Sequence, residues 1–293
     1  MKERYRLLFV CFLLVFNKTN AQTFKNQSLL NESFAYKVHT LDMFFDRFNY
    51  TKKMAVLNYI QNQKPDIQLT RDVLIRSLFN FEIFKEPKDI STSFLFVKSC
   101  IDSIHPLYLS YFDDNWYAKL YCKVLYKKKI STIELTLKVE RTQQNAFKWS
   151  IIAAEGGILK SSFVNDSIAV INDSLFIKNH RGTKFFSPVS HALQFSELFK
   201  FFENRNSALD YVTTKPIPFE LKKLLILINN KQIKFINLDK INYHLLQLPG
   251  WALEIKYYNR TSKNSGWLIS RLQTATSESK KKYKHQILNM LNL

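Results

Sequence analysis

The feature that most constrains the fold is a long stretch of strict alternation near the middle of the chain. From 130 to 140, aliphatic side chains fall on one face of an extended chain, and threonine, glutamate and lysine fall on the other. The segment 116–126 alternates in the same way, and lysines at 127–129 separate the two segments. A period of two is the period of a β-strand with one covered face. The sequence therefore predicts an antiparallel hairpin whose apolar face packs against a core.

Neighbouring segments extend this hairpin into a sheet with helices beside it. Segments 107–111 and 147–153 predict two more strands, which gives a four-stranded meander with one wet face. Before the meander, apolar side chains recur every three or four residues from 34 to 48, which is the helical period. Further helices are predicted at 70–81 and 92–101. Helices packed on an antiparallel sheet form the α+β class.

The second half of the chain repeats the order of helices followed by strands. The predicted elements are short strands at 168–171 and 174–177, helices at 189–202 and 219–228, strands at 232–247, 251–259 and 267–272, and a basic helix at 278–291. Polar residues after Gly156 and Gly157 separate the halves. We therefore predict two α+β units in tandem, 22–157 and 158–293, each with helices packed on a curved antiparallel sheet.

The first 21 residues predict export. A basic start, ten apolar residues at 7–16 and a small Ala21 before Gln22 are the parts of a secretory signal peptide. The apolar run is shorter than the roughly 20 residues that a membrane-spanning helix needs. We expect cleavage between Ala21 and Gln22 and a secreted or periplasmic mature chain that does not span a membrane. The alternative is a leader that is retained as an anchor.

Two cysteines, Cys100 and Cys122, remain after the leader. In an oxidising compartment they can form a disulfide. Closing a loop of this length stabilises a chain by about 3 kcal/mol in the chain-entropy model. The alternative is a pair of buried free thiols, and the sequence does not choose between them.

The net charge and the glycine content limit which kinds of partner and cofactor the chain can bind. The formal net charge is +19, with the excess concentrated in the second half, and the chain has five glycines. This charge favours lysines scattered for solubility, with an anionic partner as the alternative: a glycan or another envelope component, a nucleic acid or an anionic lipid surface. The chain has no phosphate-binding loop and no metal-ligand motif. We interpret His39, Asp42 and Asp46 as the solvated face of the first helix, so the sequence predicts no metal, no nucleotide and no other cofactor.

The hairpin at the end of the chain supplies a candidate acid–base pair. If 248–250 is a three-residue loop with Gln247 opposite Trp251, then His244 lies opposite Glu254. A histidine beside a glutamate can transfer protons if a pocket closes over the pair. The alternative is an exposed cross-strand pair that contributes a little stability.

A stripe of tyrosines and lysines supplies a candidate binding surface. Tyr117, Lys119, Tyr121 and Lys123 share the polar face of one predicted strand. Aromatic rings interleaved with ammonium groups can stack on sugars or bind anionic groups. The alternative is that these rings belong to the packing of the sheet.

The order of elements resembles the nuclear-transport-factor-like (cystatin-like) α+β superfamily. Four short segments are similar to uncharacterised secreted proteins of Gram-negative bacteria: 44–49 (FFDRFN), 115–118 (NWYA), 248–251 (LPGW) and 264–269 (NSGWLI). This resemblance implies a fold and a location but no activity. The superfamily includes ketosteroid-isomerase-type enzymes, which need a carboxylate base and an acidic oxyanion partner. Neither residue matches a position in this sequence, so catalysis does not carry over.

Together these observations predict an exported, non-catalytic binding or accessory protein of the cell envelope. One alternative is an enzyme with an isomerase- or hydrolase-like pocket between helices and sheet, using His244 and Glu254. The other is a binder of anionic polymers that acts through the basic C-terminal half.

Overall fold

The computed structural model describes residues 35–51, 54–63, 65–66, 68–142, 144–160, 184–203, 205–213 and 216–289. The expected leader, with its cleavage site between Ala21 and Gln22, lies outside these residues, as do the short strands predicted at 168–171 and 174–177. Within the described ranges, no helix has the length and apolar character needed to cross a bilayer.

One antiparallel sheet is the frame of the molecule, and it confirms the α+β class. Its six strands are β1 (Trp116–Tyr126), β2 (Lys129–Arg141), β3 (Phe147–Glu155), β4 (Ile233–Leu245), β5 (Trp251–Tyr258) and β6 (Gly266–Thr274). The strand order is β3-β2-β1-β4-β5-β6. Each half of the chain therefore contributes three consecutive strands, and the halves meet where β1 pairs with β4.

The expected pair of tandem units is not confirmed, because the two halves share one sheet. The β1–β4 pairing runs the whole length of both strands, from Trp116 opposite Leu245 to Tyr126 opposite Ile233. One buried core cluster also contains side chains from both halves. Residue 157 therefore separates two groups of strands within one sheet and does not separate two sheets.

The faces of β1 are those that the alternation predicts. Ala118, Leu120, Cys122 and Val124 are fully buried on the core face. The strand predicted at 107–111 is wrong, since this segment is irregular. Its backbone at Leu109 is satisfied by a side chain instead of a neighbouring strand: the Asn49 amide donates to the Leu109 carbonyl (2.9 Å) and accepts from the Leu109 N–H (2.8 Å).

Of the seven α-helices in the described ranges, five contribute side chains to the main buried core, one packs in a small separate cluster, and the last lies on the opposite face of the sheet. They are α1 (Leu41–Asn49), α2 (Ala55–Gln63), α3 (Arg71–Ser77), α4 (Pro87–Cys100), α5 (Phe199–Glu203), α6 (Phe219–Asn229) and α7 (Ser277–Leu288). Helix α1 begins later than predicted, because the Thr40 hydroxyl caps it by accepting from the Met43 N–H. The helix predicted at 189–202 is wrong in its first half, where turns run to residue 195.

Irregular segments cover both outer strands of the sheet. Short bridges join Val38 to Gly266 and Phe79 to Ile269 on β6, and Phe186 to Trp149 and Val212 to Ile151 on β3. An uncovered edge strand is a template for unwanted pairing, so these bridges protect both ends of the sheet.

The cysteines are buried free thiols, and the disulfide alternative is wrong for this structure. Cys100 lies at the end of α4 and Cys122 in β1, and the two are not bonded. Burial raises the pKa of the Cys100 thiol to about 12 and raises that of Cys122 above its usual range. Both groups are therefore neutral and unreactive at pH 7.

Candidate functional site

The face of the sheet opposite the core brings both groups of candidate residues together. On this face, Tyr117 lies opposite His244 and Lys119 lies opposite Asn242 across the β1–β4 pairing. Glu254 of β5 then lies opposite His244, as the hairpin register predicts. We call this surface the polar face; it comprises Tyr117, Lys119, Tyr121, Lys123, Asn242, His244 and Glu254.

Helix α7 covers the inner part of the polar face, which the sequence predicted to be wet. Tyr283 and Leu288 of α7 are buried against Tyr117, Leu246 and Ala252 in a small apolar cluster. The helix has few apolar residues, so its periodicity gives little sign of a buried face. Burial of these few side chains is accompanied by specific polar contacts that hold the helix in place.

Lysines and backbone carbonyls hold both ends of α7. Near its start, Lys280 Nζ donates to the carbonyls of Leu246 (2.7 Å) and Leu248 (2.6 Å). Near its end, Lys119 Nζ donates to the Ile287 carbonyl (3.1 Å) and Thr136 Oγ1 donates to the Leu288 carbonyl (3.0 Å). The last carbonyls of a helix have no intrahelical partner and carry partial negative charge. The Lys119 ammonium group and the Thr136 hydroxyl on the sheet therefore provide hydrogen bonds to the last carbonyls of α7.

His244 is a neutral imidazole sealed beneath α7. Its side chain is 1% exposed. Burial lowers its pKa to about 4, so the ring is uncharged at pH 7. Nδ1 lies 2.8 Å from the Tyr283 hydroxyl of α7. Within the described ranges, Nε2 has no hydrogen-bond partner.

Glu254 is an ionised carboxylate held by polar neighbours. It accepts from Asn242 Nδ2 (3.0 Å) and lies 3.1 Å from Lys256 Nζ. Burial acts to raise its pKa, but His244, Lys256 and Arg271 together lower the pKa below its usual value. An acid–base catalyst needs a proton poised near neutral pH and a route to substrate. A neutral histidine beside an ionised glutamate, both buried under a helix, has neither property in this arrangement.

The lysine–tyrosine stripe is divided by the edge of α7. Tyr117 and Lys119 are buried beneath the helix, and Lys119 forms a 2.7 Å ion pair with Glu134. Tyr121 and Lys123 lie beyond the helix and are partly exposed. The structure therefore places all four predicted residues on one face but makes only two of them accessible.

The accessible part of the stripe is basic and aromatic. Two ammonium groups lie near the Tyr121 ring, with Lys240 Nζ 4.5 Å and Lys119 Nζ 6.0 Å from its centroid. Burial, with Glu134 and other carboxylates nearby, raises the pKa of Tyr121 to about 12, so its hydroxyl is a donor at pH 7. Lys234 shares this side of the sheet, opposite Leu125. We call this surface the basic end; it comprises Tyr121, Lys123, Lys234 and Lys240.

A second polar cluster, which the sequence does not reveal, joins the buried His191 to the half-exposed Asp42. His191 Nε2 lies 3.3 Å from Asp42 Oδ1, and His191 Nδ1 lies 2.9 Å from the Pro188 carbonyl. The Tyr111 hydroxyl donates to the same Asp42 oxygen (2.8 Å). Each ring nitrogen of His191 therefore faces an oxygen atom. The hydrogen bond from His191 is the main cause that lowers the pKa of Asp42.

This cluster is a structural clamp between α1 and the segment 184–195. His191 is 5% exposed, and it stacks on Tyr111 with ring centroids 5.0 Å apart. The sequence places Asp42 on a solvated helix face and gives no local sign of a partner 149 residues away. Within the described ranges, no group of three or more histidine, cysteine, aspartate or glutamate residues is placed to hold a metal ion.

Aromatic rings fill the centre of the core face, where the enzyme alternative requires a pocket. Trp116 contacts Phe45, Trp149 and Tyr243, with centroid distances of 5.6, 4.5 and 6.1 Å. A separate surface depression is lined by residues of α2 and its flanking loops, and none of them belongs to the polar face. The polar face and its basic end are therefore the best candidate site in the described chain.

Comparison with protein-family models, curated proteins and solved structures found no match for this chain.

Proposed function

We propose that this protein is an exported, non-catalytic binding protein of the cell envelope that holds an anionic partner on its basic end. The observation that carries this proposal is the division of the polar face by α7. The residues with acid–base chemistry are covered, whereas Tyr121, Lys123 and Lys240 reach the surface. A surface of this composition attracts and orients negative charge without transferring protons to it.

The burial of His244 and Glu254 supports a structural role for this pair. A neutral imidazole next to an ionised carboxylate avoids placing two charges under the helix, which would have a large desolvation cost. The Tyr283 hydroxyl bonds to His244 and so connects the pair to α7. Under this proposal the pair positions the helix that defines the inner border of the basic end.

The contacts of the basic end fit a partner with regularly spaced negative groups. Tyr121 offers a hydroxyl donor and a ring with two ammonium groups near it. Lys240 and Lys234 have no carboxylate within ion-pair distance in the described ranges, while Lys123 lies 3.6 Å from Asp239. Two lysines are therefore free to pair with carboxylate, sulfate or phosphate groups of a partner.

Binding to defined polyanions tests the proposal. We expect poly-glutamate and dextran sulfate to bind the purified chain at low salt, and the affinity to fall about tenfold or more between 50 and 200 mM salt. The variant Lys123→Glu/Lys240→Glu should lose about tenfold in affinity at 50 mM salt. The control Lys88→Glu changes an exposed lysine on α4, on the other side of the sheet, and should retain affinity close to that of the wild type.

Two results would contradict the proposal. Absence of salt-dependent binding to both polyanions would exclude an anionic partner. Because the double variant changes twice as much charge, a loss of affinity in the Lys88→Glu control that is half as large on a logarithmic scale would mean that net charge, and not the basic end, determines binding.

Export has its own test. Protein purified from the envelope fraction of the native host should begin at Gln22 when its N-terminus is sequenced. A start at Met1 in the cytosolic fraction would remove the envelope location from the proposal.

A further inference from the structure

The outer half of β4 is a strand edge inside the sheet that no described residue covers. Strand β5 pairs with β4 only from Leu245 to Asn242, where Lys256 is the last partner. Residues 233–241 of β4 therefore pair with β1 on one side only. In the described ranges, these nine residues have no backbone hydrogen bond to any segment other than β1.

This edge differs from the outer edges of the sheet, which are covered. On β6, the Trp267 and Ile269 N–H groups donate to the carbonyls of Val38 (2.9 Å) and Leu78 (2.8 Å). On β3, the Trp149 N–H donates to the Phe186 carbonyl at 3.1 Å. At β4, by contrast, the outward N–H and C=O groups along about 30 Å of strand have no partner among the described residues.

The side chains along this stretch are largely exposed. The exposed positions are Lys234, Ile236, Asn237, Asp239 and Lys240. On the core side, the Phe235 ring stacks on Phe202 of α5 with centroids 5.1 Å apart. The strand is thus supported from beneath and open along its edge.

We propose that the free edge of β4 binds an extended acidic segment of a partner polypeptide, which adds a strand where β5 leaves β4. This inference rests on the proposed function and names the class of its anionic partner. Main-chain hydrogen bonds to β4 supply affinity, and alternate side chains of the added strand reach the basic end. Acidic side chains on that face would lie beside Lys234 and Lys240, and opposite charges on neighbouring strands attract.

Charge also favours a different chain over a second copy of this one. If two copies paired antiparallel about Asn237, Lys234 of each would lie opposite Lys240 of the other, which is unfavourable. The β1–β4 pairing also contains two register irregularities, and bulges and lysines are features that natural edge strands use against self-association. The same lysines attract an acidic strand.

Backbone methylation of a probe peptide separates strand addition from charge attraction. The probe is a peptide of alternating valine and glutamate with blocked termini. Two control peptides have the same charge, and each carries N-methyl groups on the backbone amides along one of the two edges of the extended peptide. We expect the probe to bind and one N-methylated control to lose about tenfold or more in affinity, because several backbone hydrogen bonds are removed. Hydrogen exchange of amides in 233–241 should slow when the unmodified probe is bound.

The outcomes distinguish this inference from the proposed function. If both N-methylated controls bind as tightly as the probe, the edge inference is wrong while polyanion binding still supports the proposed function. If the probe fails to bind and poly-glutamate binds, the same conclusion holds. If only dextran sulfate binds, the edge inference is again wrong while the proposed function stands. If the probe, poly-glutamate and dextran sulfate all fail to bind, both proposals are wrong.

Two further observations would overturn the inference. Protection, in the monomer alone, of those amides in 233–241 that point away from β1 would show that another part of the chain occupies the edge. Protection that rises with protein concentration, together with a dimer in sedimentation, would show a second copy there. The Lys234→Glu/Lys240→Glu variant should lose probe binding, and Lys88→Glu should keep it.

Discussion

His244 should make the protein lose stability as the pH falls from 7 to 5. The folded ring resists protonation until about pH 4, whereas an unperturbed histidine binds a proton near 6.5. Between these values the unfolded chain binds more protons than the folded one, so acid favours unfolding. Because the pKa of His244 is lowered on folding, its contribution to the free energy of unfolding is complete above pH 6.5 and is lost as the pH falls towards 4.

The magnitude follows from the size of the pKa change. The histidine alone should remove about 2 kcal/mol of unfolding free energy between pH 7 and pH 5, and about 3 kcal/mol by pH 4. Because the pKa of Glu254 lies below its usual value of 4.5, its titration contributes at lower pH. The interval from pH 7 to 5 therefore isolates His244 from its partner carboxylate.

Urea denaturation followed by tryptophan fluorescence measures this effect. We expect the wild type to lose about 2 kcal/mol more than His244→Gln between pH 7 and pH 5, whatever the absolute stability of the variant. His105→Gln alters an exposed histidine and should behave as the wild type. Equal losses in the wild type and His244→Gln would refute the reasoning. If His244→Gln does not fold, a ring proton of His244 that titrates near pH 6.5 in the folded wild type would refute it equally.

Further predictions concern the packing of the fold. Gly266→Ala should destabilise the protein by at least about 3 kcal/mol, because φ is +88° and an added Cβ would overlap the Val38 backbone. In the control Gly157→Ala, the added Cβ has no atom within 4 Å, so the midpoint of urea unfolding should change little. Leu288→Ala should cost about 3 kcal/mol, and hydrogen exchange should show α7 loosening before the sheet; uniform loosening would contradict a separable cover. Cys100 and Cys122 should not react with a thiol reagent in the native protein, and both should react once the protein is unfolded in the absence of a reductant. Failure of these thiols to react in the unfolded protein would indicate a disulfide. Asp42→Asn should lower the free energy of unfolding by about 1 kcal/mol at pH 7. Because the pKa of Asp42 is lowered in the folded protein, the difference between variant and wild type should shrink as the pH falls below 3.8, the usual pKa of aspartate. A difference that stays the same at low pH would contradict the His191–Asp42 pair.

Local pattern was sufficient to predict most of the strands and their faces. The alternation in β1 and β2 identifies the core side because successive side chains point to opposite faces. The register of His244 opposite Glu254 followed from the short loop at 248–250, since a hairpin's loop fixes its register. Gly250 adopts φ +76° in that loop, which a glycine tolerates without strain.

Contacts between distant segments were not predictable from the sequence. Nothing in β1 or β4 alone indicates that they pair, and this pairing joins the halves into one sheet. The irregular segment at 107–111 had a strand-like composition, yet the Asn49 side chain satisfied its backbone. The His191–Asp42 pair likewise depends on a contact that has no fixed spacing in the chain.

The sequence by itself determined where the strands lie, which face of each is apolar, and that the chain is basic, because these properties depend on residue type and short periods. The tertiary structure alone decided which polar residues are accessible. Helix α7 has too few apolar residues to reveal its buried side, and its contacts come from Lys119 and Lys280 binding carbonyls across the fold. Tyr117 and Lys119 are buried under that helix and pack within the fold, whereas Tyr121 and Lys123 remain partly exposed.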